Sequence, residues 1–202
     1  MRIGLNIVRS QPKPLPMEEN QSVEQDFDFT VKVLTAFFAR ARIQSTLQGV
    51  FETGATGWEK WWQIELAMFL SEYDDVSEWN MEEVFLTDLR TSTTKERMAI
   101  DVCFRRKRYA TNHFVFLELK QDRDWKCCIA NMLRDAEKFS ASHKRSESGL
   151  QVRSFFLVGV YPSEDKAEVH NHIERAAESR NIDWEFMETR FIPNTDYSFT
   201  VV

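Results

Sequence analysis

Cysteine, glycine and proline are all scarce in this sequence, at three, six and five residues in a chain of 202. The cysteines are Cys103, Cys127 and Cys128, an odd number with two adjacent, so no Cys-x-x-Cys spacing exists for a zinc site or a disulfide framework. A reducing compartment is the expected setting, and the protein is read as cytoplasmic. No apolar run approaches the ~20 residues of a membrane-spanning helix. The stretch Ile3 to Val8 is too short for the apolar segment of a secretory signal, so no membrane association is expected. Positive charge is also in deficit: 26 Lys and Arg against 32 Asp and Glu leave a net charge of -6. No global field draws the protein to polyanions, and any nucleic-acid contact has to be local. Internal repeats and low-complexity segments are lacking as well.

What is abundant is large apolar side chains. Sixteen Phe and six Trp in a 43% hydrophobic chain exclude disorder and furnish one sizeable core. Pro12, Pro14 and Pro16 followed by Glu18, Glu19 and Asn20 mark residues 1–21 as an extended N-terminal arm, with a single domain over 22–202. Ser22 with Gln25 has capping-box spacing, and Val31, Leu34, Phe38 and Ala41 predict an N-terminal helix. Thr56 with Glu59 repeats the cap, and the stretch from Trp58 to Tyr73 holds neither Gly nor Pro, which predicts a second helix. Its apolar stripe is read as Trp58, Trp61, Trp62, Met68 and Phe69. Residues 84–90, 98–104 and 113–121 are rich in strand formers and predict an antiparallel meander. Trp125, Ile129, Met132, Leu133 and Ala136 then fit a helix, and residues 154–161 (SFFLVGVY) read as a strand buried on both faces. That strand is expected to run parallel to its neighbour, because a helix-length crossover precedes it. A helix over 165–180 and a strand over 184–192 complete an α/β fold with a mixed central sheet flanked by helices.

Acidic residues that face inward carry more information than exposed ones, since a buried charge requires a partner or a metal. Glu65 is three and four positions from Trp61, Trp62, Met68 and Phe69, which places it with those large groups, whereas Glu59 is accounted for by the capping box. Asp101 interrupts the strand MAIDVCF, where aspartate is disfavoured. In the next strand, HFVFLELKQ, alternation puts Phe114, Phe116, Glu118 and Lys120 on one face and Val115, Leu117 and Leu119 on the other. A turn near Tyr109 and Ala110 brings Glu118 opposite Asp101, two like charges that call for a cation between them. Oxygen ligands of this kind suit magnesium or manganese (Mg2+ or Mn2+). An acid followed two residues later by lysine occurs by chance roughly once per 200 residues. The chain has three, but Asp124/Lys126 and Glu164/Lys166 sit in polar stretches at helix starts, and only Glu118/Lys120 ends an apolar strand.

With Asp101 in ERMAIDVCF, Glu118-Leu119-Lys120 in FVFLELKQ and an upstream helical acid in WWQIELAMFL, the chain resembles the PD-(D/E)XK nuclease superfamily over about residues 57–161. Ile100 stands where the name-giving proline would be. The resemblance implies a restriction-endonuclease-like αβββαβ core and a metal-dependent nuclease that hydrolyses phosphodiester bonds of DNA. In that reading Asp101, Glu118 and the Leu119 carbonyl bind the metal, and Lys120 positions or activates water. Glu65 binds or orients a second ion, and Gln121 contacts the metal-bound water or the substrate. Alanine at Asp101, Glu118 or Lys120 is expected to abolish cleavage and leave folding nearly intact. Substrate contact is expected from Arg105, Arg106, Lys107 and Arg108 at the hairpin tip, with His143, Lys144 and Arg145 read as a solvated loop and His170 and His172 as surface residues. The alternatives are a catalytically inactive nuclease-like module that binds nucleic acid or protein, or a nuclease directed at RNA. A homodimer or a larger defence or repair assembly is a partner by analogy alone.

Overall fold

A computed structural model describes residues 17–87, 97–140, 142–182 and 184–202. In chain order the elements are α1 (Met17–Phe38), α2 (Ala41–Thr53), α3 (Glu59–Glu72), β1 (Val76–Thr87), β2 (Arg97–Arg106), β3 (His113–Gln121), α4 (Trp125–Ser140), β4 (Ser142–Ser146), β5 (Gln151–Pro162), α5 (Lys166–Arg180), β6 (Glu188–Phe191) and β7 (Tyr197–Val201). The seven strands form one sheet in the order β3-β2-β1-β4-β5-β7-β6. β3 also pairs with β5, in parallel, while every other pairing is antiparallel. The architecture is therefore mixed α/β, and five of the strands close into a ring.

β5 shows why its sequence is apolar throughout. Phe156, Val158 and Val160 face a core built with α1, α2 and α3, whereas Leu157 and Tyr161 face α4 and α5. Helices thus cover both sides of the strand, as expected for a parallel pair joined by a helical crossover. At Gly159 a Cβ would come within 2.5 Å of Met132 Sδ and 3.1 Å of Cys128 Sγ, so α4 packs directly on the strand backbone. A third cluster, with Phe85, Cys103, Phe114, Phe116 and Phe139, fills the curve of the ring.

The first helical region differs from expectation at both ends. Residues 1–16 of the proposed arm lie outside the described residues, but Met17–Asn20 already belong to α1. The helix then stops at Phe38: Arg40 is extended, and the Gln44 side chain donates to the Phe38 carbonyl at 3.0 Å, which satisfies the exposed helix end. Ala41 therefore starts a new helix. Gly54, at φ 67°, closes it in the left-handed conformation that glycine adopts without strain.

The meander runs in the expected order, with β1 beginning earlier, at Val76; residues 88–90 of its expected span lie outside the described residues. Two strands escaped the sequence pattern. β4 is a short polar strand, and β7 reads YSFTV, in which Ser198 and Thr200 are buried and bonded, Thr200 to Thr189 at 2.7 Å and Ser198 to Ser163 at 2.9 Å. Among the described residues, no helix is long and apolar enough to cross a membrane.

Candidate functional site

The β2–β3 register is what brings the acids together. Val102 pairs with Leu117, Cys103 with Phe116 and Phe104 with Val115. Carried one residue further, that register sets Asp101 level with Glu118, as the sequence suggested. The ladder itself changes there. The Leu119 amide donates to Asp101 Oδ2 at 2.7 Å, so an aspartate side chain takes the place of a β2 carbonyl. Ile100 and Met98 then join the cluster that holds Cys103, so side chains stop alternating strictly along β2 at Asp101.

The second carboxylate oxygen, Asp101 Oδ1, accepts from Gln63 Nε2 at 2.7 Å, which ties the site to the buried face of α3. Burial raises the Asp101 carboxyl above the usual aspartate range, although the Leu119 amide and Lys120 pull it down. Glu118 is only 5% exposed. Its Oε1 accepts from Lys120 Nζ at 2.8 Å, while its Oε2 is buried with no hydrogen-bond partner. Burial, then the neighbouring Asp101, push Glu118 up to about 8 against the pull of Lys120.

Lys120 is held from two sides. Its ammonium contacts Glu118 at 2.8 Å and Asp135 Oδ2 of α4 at 2.9 Å, and it donates to the Leu119 carbonyl at 3.2 Å. Burial works against its charge, but the two carboxylates outweigh that cost and its pKa rises. Asp135 is buried too, yet Lys138 and Lys120 hold it below the ordinary aspartate value. Gln121 contributes its backbone: the amide donates to Glu59 Oε2 at 3.3 Å.

Two expectations are corrected by this geometry. Glu65 is paired with Arg42 of α2, and it is Glu59 that reaches the end of β3. Trp58, at the helix N-cap, carries no side-chain cap bond, so the anticipated capping box does not form and Glu59 is free to turn inward. Burial raises Glu59, with Lys120 opposing and Asp101 reinforcing the shift. The buried face of α3 is Trp62, Gln63, Leu66, Ala67, Phe69 and Leu70, whereas Met68, assigned to the stripe from sequence, is 52% exposed.

The basic run is also elsewhere. At about 3.3 Å per strand residue, Lys107, just past the end of β2, lies on the order of 20 Å from Asp101 in mid-strand. Arg105 pairs with Glu78 and donates to the Tyr109 carbonyl at 3.1 Å. Arg106 donates to the Tyr109 hydroxyl at 2.8 Å and stacks 4.1 Å over the Phe29 ring. Lys107 and Arg108 are exposed at the tip. Arg106 and Tyr109 pin the hairpin to α1, whose fully buried Asp26 accepts from Tyr109 (2.6 Å), Arg153 (2.8 Å) and Ser154 (2.6 Å).

Sequence reasoning missed Glu59, Gln63 and Asp135. A signal existed for each: Glu59 and Gln63 are four apart on one helical face, and Asp135 is three residues from Met132 on the buried face of α4. Among the described residues, no group of three or more His, Cys, Asp or Glu side chains is arranged to hold a metal ion. No family model, no curated protein and no solved structure matches this chain.

Proposed function

We propose that the protein is a divalent-metal-dependent nuclease that hydrolyses phosphodiester bonds of DNA at Asp101, Glu118 and Lys120, on a core of the restriction-endonuclease type. The observation that carries this reading is the close approach of Asp101 and Glu118 at the point where the β2–β3 ladder ends, beside a lysine and with one Glu118 oxygen buried and unsatisfied. A buried acceptor without a donor is costly, and a cation removes that cost. The donor set fits magnesium or manganese, which bind through one or two carboxylates and retain water. Asp101 and Glu118 would hold the ion with the Leu119 carbonyl, each carboxylate oxygen having a lone pair beyond those now engaged. The bound ion supplies Lewis-acid polarisation of the scissile phosphate.

The chain's own residues do the rest. Lys120 stays protonated between Glu118 and Asp135, so it does not abstract a proton. With its three N–H donors engaged by Glu118, Asp135 and the Leu119 carbonyl, it acts as a fixed positive charge that meets the charge building on phosphate oxygens as the new P–O bond forms and the ester bond breaks. Gln63 and the Leu119 amide fix the Asp101 carboxylate from two sides, so its orientation is set before substrate arrives.

The test is incubation with circular, linear and single-stranded DNA and with RNA, with and without manganese. Cleavage of DNA that requires the metal and is lost in Asp101→Asn, Glu118→Gln and Lys120→Met supports the reading. Metal-independent cleavage, cleavage retained by these variants, or none by the native protein would remove it.

A further inference from the structure

With Arg105 and Arg106 occupied, positive charge is left at the hairpin tip, on Lys107 and Arg108, and in a groove between α4 and α5. Two adjoining hollows of about 450 and 400 Å3 share Lys126, His172 and Arg175, and Arg180 lines the far end. Lys126 and Arg175 are exposed and form no ion pair among the described residues. Arg180 donates to the Ala176 carbonyl at 3.1 Å and reaches Glu137 only at 3.7 Å. Two acids stand at the head of the groove: Asp165, whose carboxylate accepts the Glu168 amide at 2.9 Å, and Glu168 itself. The His172 ring registers the balance, since burial and then Lys126, Arg175 and Arg180 depress its pKa, with Asp124 opposing. The same ring meets Trp125 edge-on, with centroids 5.1 Å apart, and the Lys126 ammonium lies 5.0 Å from the Trp125 ring centre. An aromatic pair thus adjoins the cations.

The groove begins at the same end of the sheet as the candidate site. β3 and β5 are parallel, and each is followed within a few residues by its helix, so α4 and α5 start at the end of the sheet that carries Lys120 and Gln121. Trp125 is five residues beyond Lys120, at most about 17 Å of extended chain.

We infer that the groove between α4 and α5 holds the phosphate backbone of the DNA on which the Asp101–Glu118 site acts, with Lys126 and Arg175 as its phosphate contacts. This rests on the nuclease reading for what is bound and on the unpaired cations for where. Each phosphate that a cation neutralises releases counterions, so binding carries the number of contacts in its salt dependence.

The experiment is binding of fluorescein-labelled duplex and single-stranded DNA of one sequence, in EDTA so that nothing is cut, across 50 to 200 mM KCl. Lys126→Glu with Arg175→Glu should weaken binding at least tenfold and flatten the log–log salt slope by about two. Lys126→Gln with Arg175→Gln should fall between, and circular dichroism checks that both fold. The duplex and single-strand arms identify the form held. Unchanged affinity in the double reversal, no binding by the native protein, or loss through Lys107→Glu with Arg108→Glu instead would overturn the inference. Groove-dependent binding without manganese-dependent cleavage would uphold it and remove the nuclease reading.

Discussion

Asp101 accepts the backbone amide of Leu119 at 2.7 Å, so the side chain of one strand serves as a rung of the ladder for the next. The same carboxylate accepts from Gln63, which makes Asp101 structural as well as acidic. Asp101→Ala should therefore destabilise the fold by about 1–3 kcal/mol for each donor left unpaired, contrary to the expectation from sequence that alanine leaves folding intact. Asp101→Asn should fold almost as stably as the native chain. Its oxygen can accept the Leu119 amide and its nitrogen can face the unpartnered Gln63 oxygen. Thermal denaturation of the two variants separates the roles, and equal midpoints would show that the bonds to Asp101 contribute nothing.

Gln63 touches no candidate metal ligand other than Asp101, and its effect should pass through that carboxylate. Gln63→Leu keeps the apolar packing of α3 but removes the donor. A loss of about 10- to 100-fold in manganese affinity is expected, as for other groups that orient a ligand. Isothermal titration with manganese measures it, and Gln63→Glu, which sets a second acid against Asp101, should not restore binding.

The pH dependence of stability in EDTA follows from Glu118. Its folded pKa, pushed up to about 8, lies above the ordinary glutamate value of 4.5, so the protonated acid favours the folded state. That contribution is complete below about pH 4.5 and is lost as pH rises through 8. Asp101 and Glu59 shift in the same direction. Asp135, whose pKa is lowered, loses its contribution only as pH falls through the acid range. The thermal midpoint of the metal-free protein should therefore decline from pH 5 to 9, and Glu118→Gln should flatten the decline. A midpoint that rises over this interval in both proteins would contradict the assignment.

Elements whose neighbours impose one face were legible in sequence, and those set by tertiary partners were not. β2, β3 and β5 were found because alternation or continuous burial marks most of their positions, and the register of Glu118 with Asp101 followed from the length of one turn. The division of α1 from α2 was hidden, because the bond that ends α1 comes from Gln44, six residues past Phe38. β7 was hidden by its buried Ser and Thr, which find partners only across the sheet. The helical acid was misassigned for a related reason. Spacing alone put Glu59 in a cap and Glu65 in the core, but Arg42 on a different helix draws Glu65 away while the Gln121 amide receives Glu59.

That exchange is testable. Glu65→Gln breaks an ion pair with an exposed arginine and should alter cleavage less than about threefold, since such pairs contribute little. Glu59→Gln removes a charge that faces Lys120 and Asp101 and should lower cleavage about tenfold or more, in the range found for groups that support ligands. Single-turnover rates with saturating manganese compare them directly. A larger loss in Glu65→Gln would return the site to the arrangement first suggested by the sequence.

Asp26 should be the most sensitive acid for folding, although it shares no partner with the Asp101–Glu118 site. It is fully buried in α1 and accepts from Tyr109 of the hairpin and from Arg153 and Ser154 of β5. Tyr109 is itself flanked by Arg106 and Arg153, whose guanidinium carbons lie 5.1 and 4.1 Å from its ring centre. Asp26→Ala strands a cation and two hydroxyls in a site built around one carboxylate. A loss of about 3–5 kcal/mol is expected, as when one partner of a buried ion pair is removed. Asp26→Asn retains an acceptor and the volume, and should cost less. Urea denaturation of the two variants measures both, and a smaller loss for alanine than for asparagine would mean that the buried charge, rather than its bonds, dominates at this position.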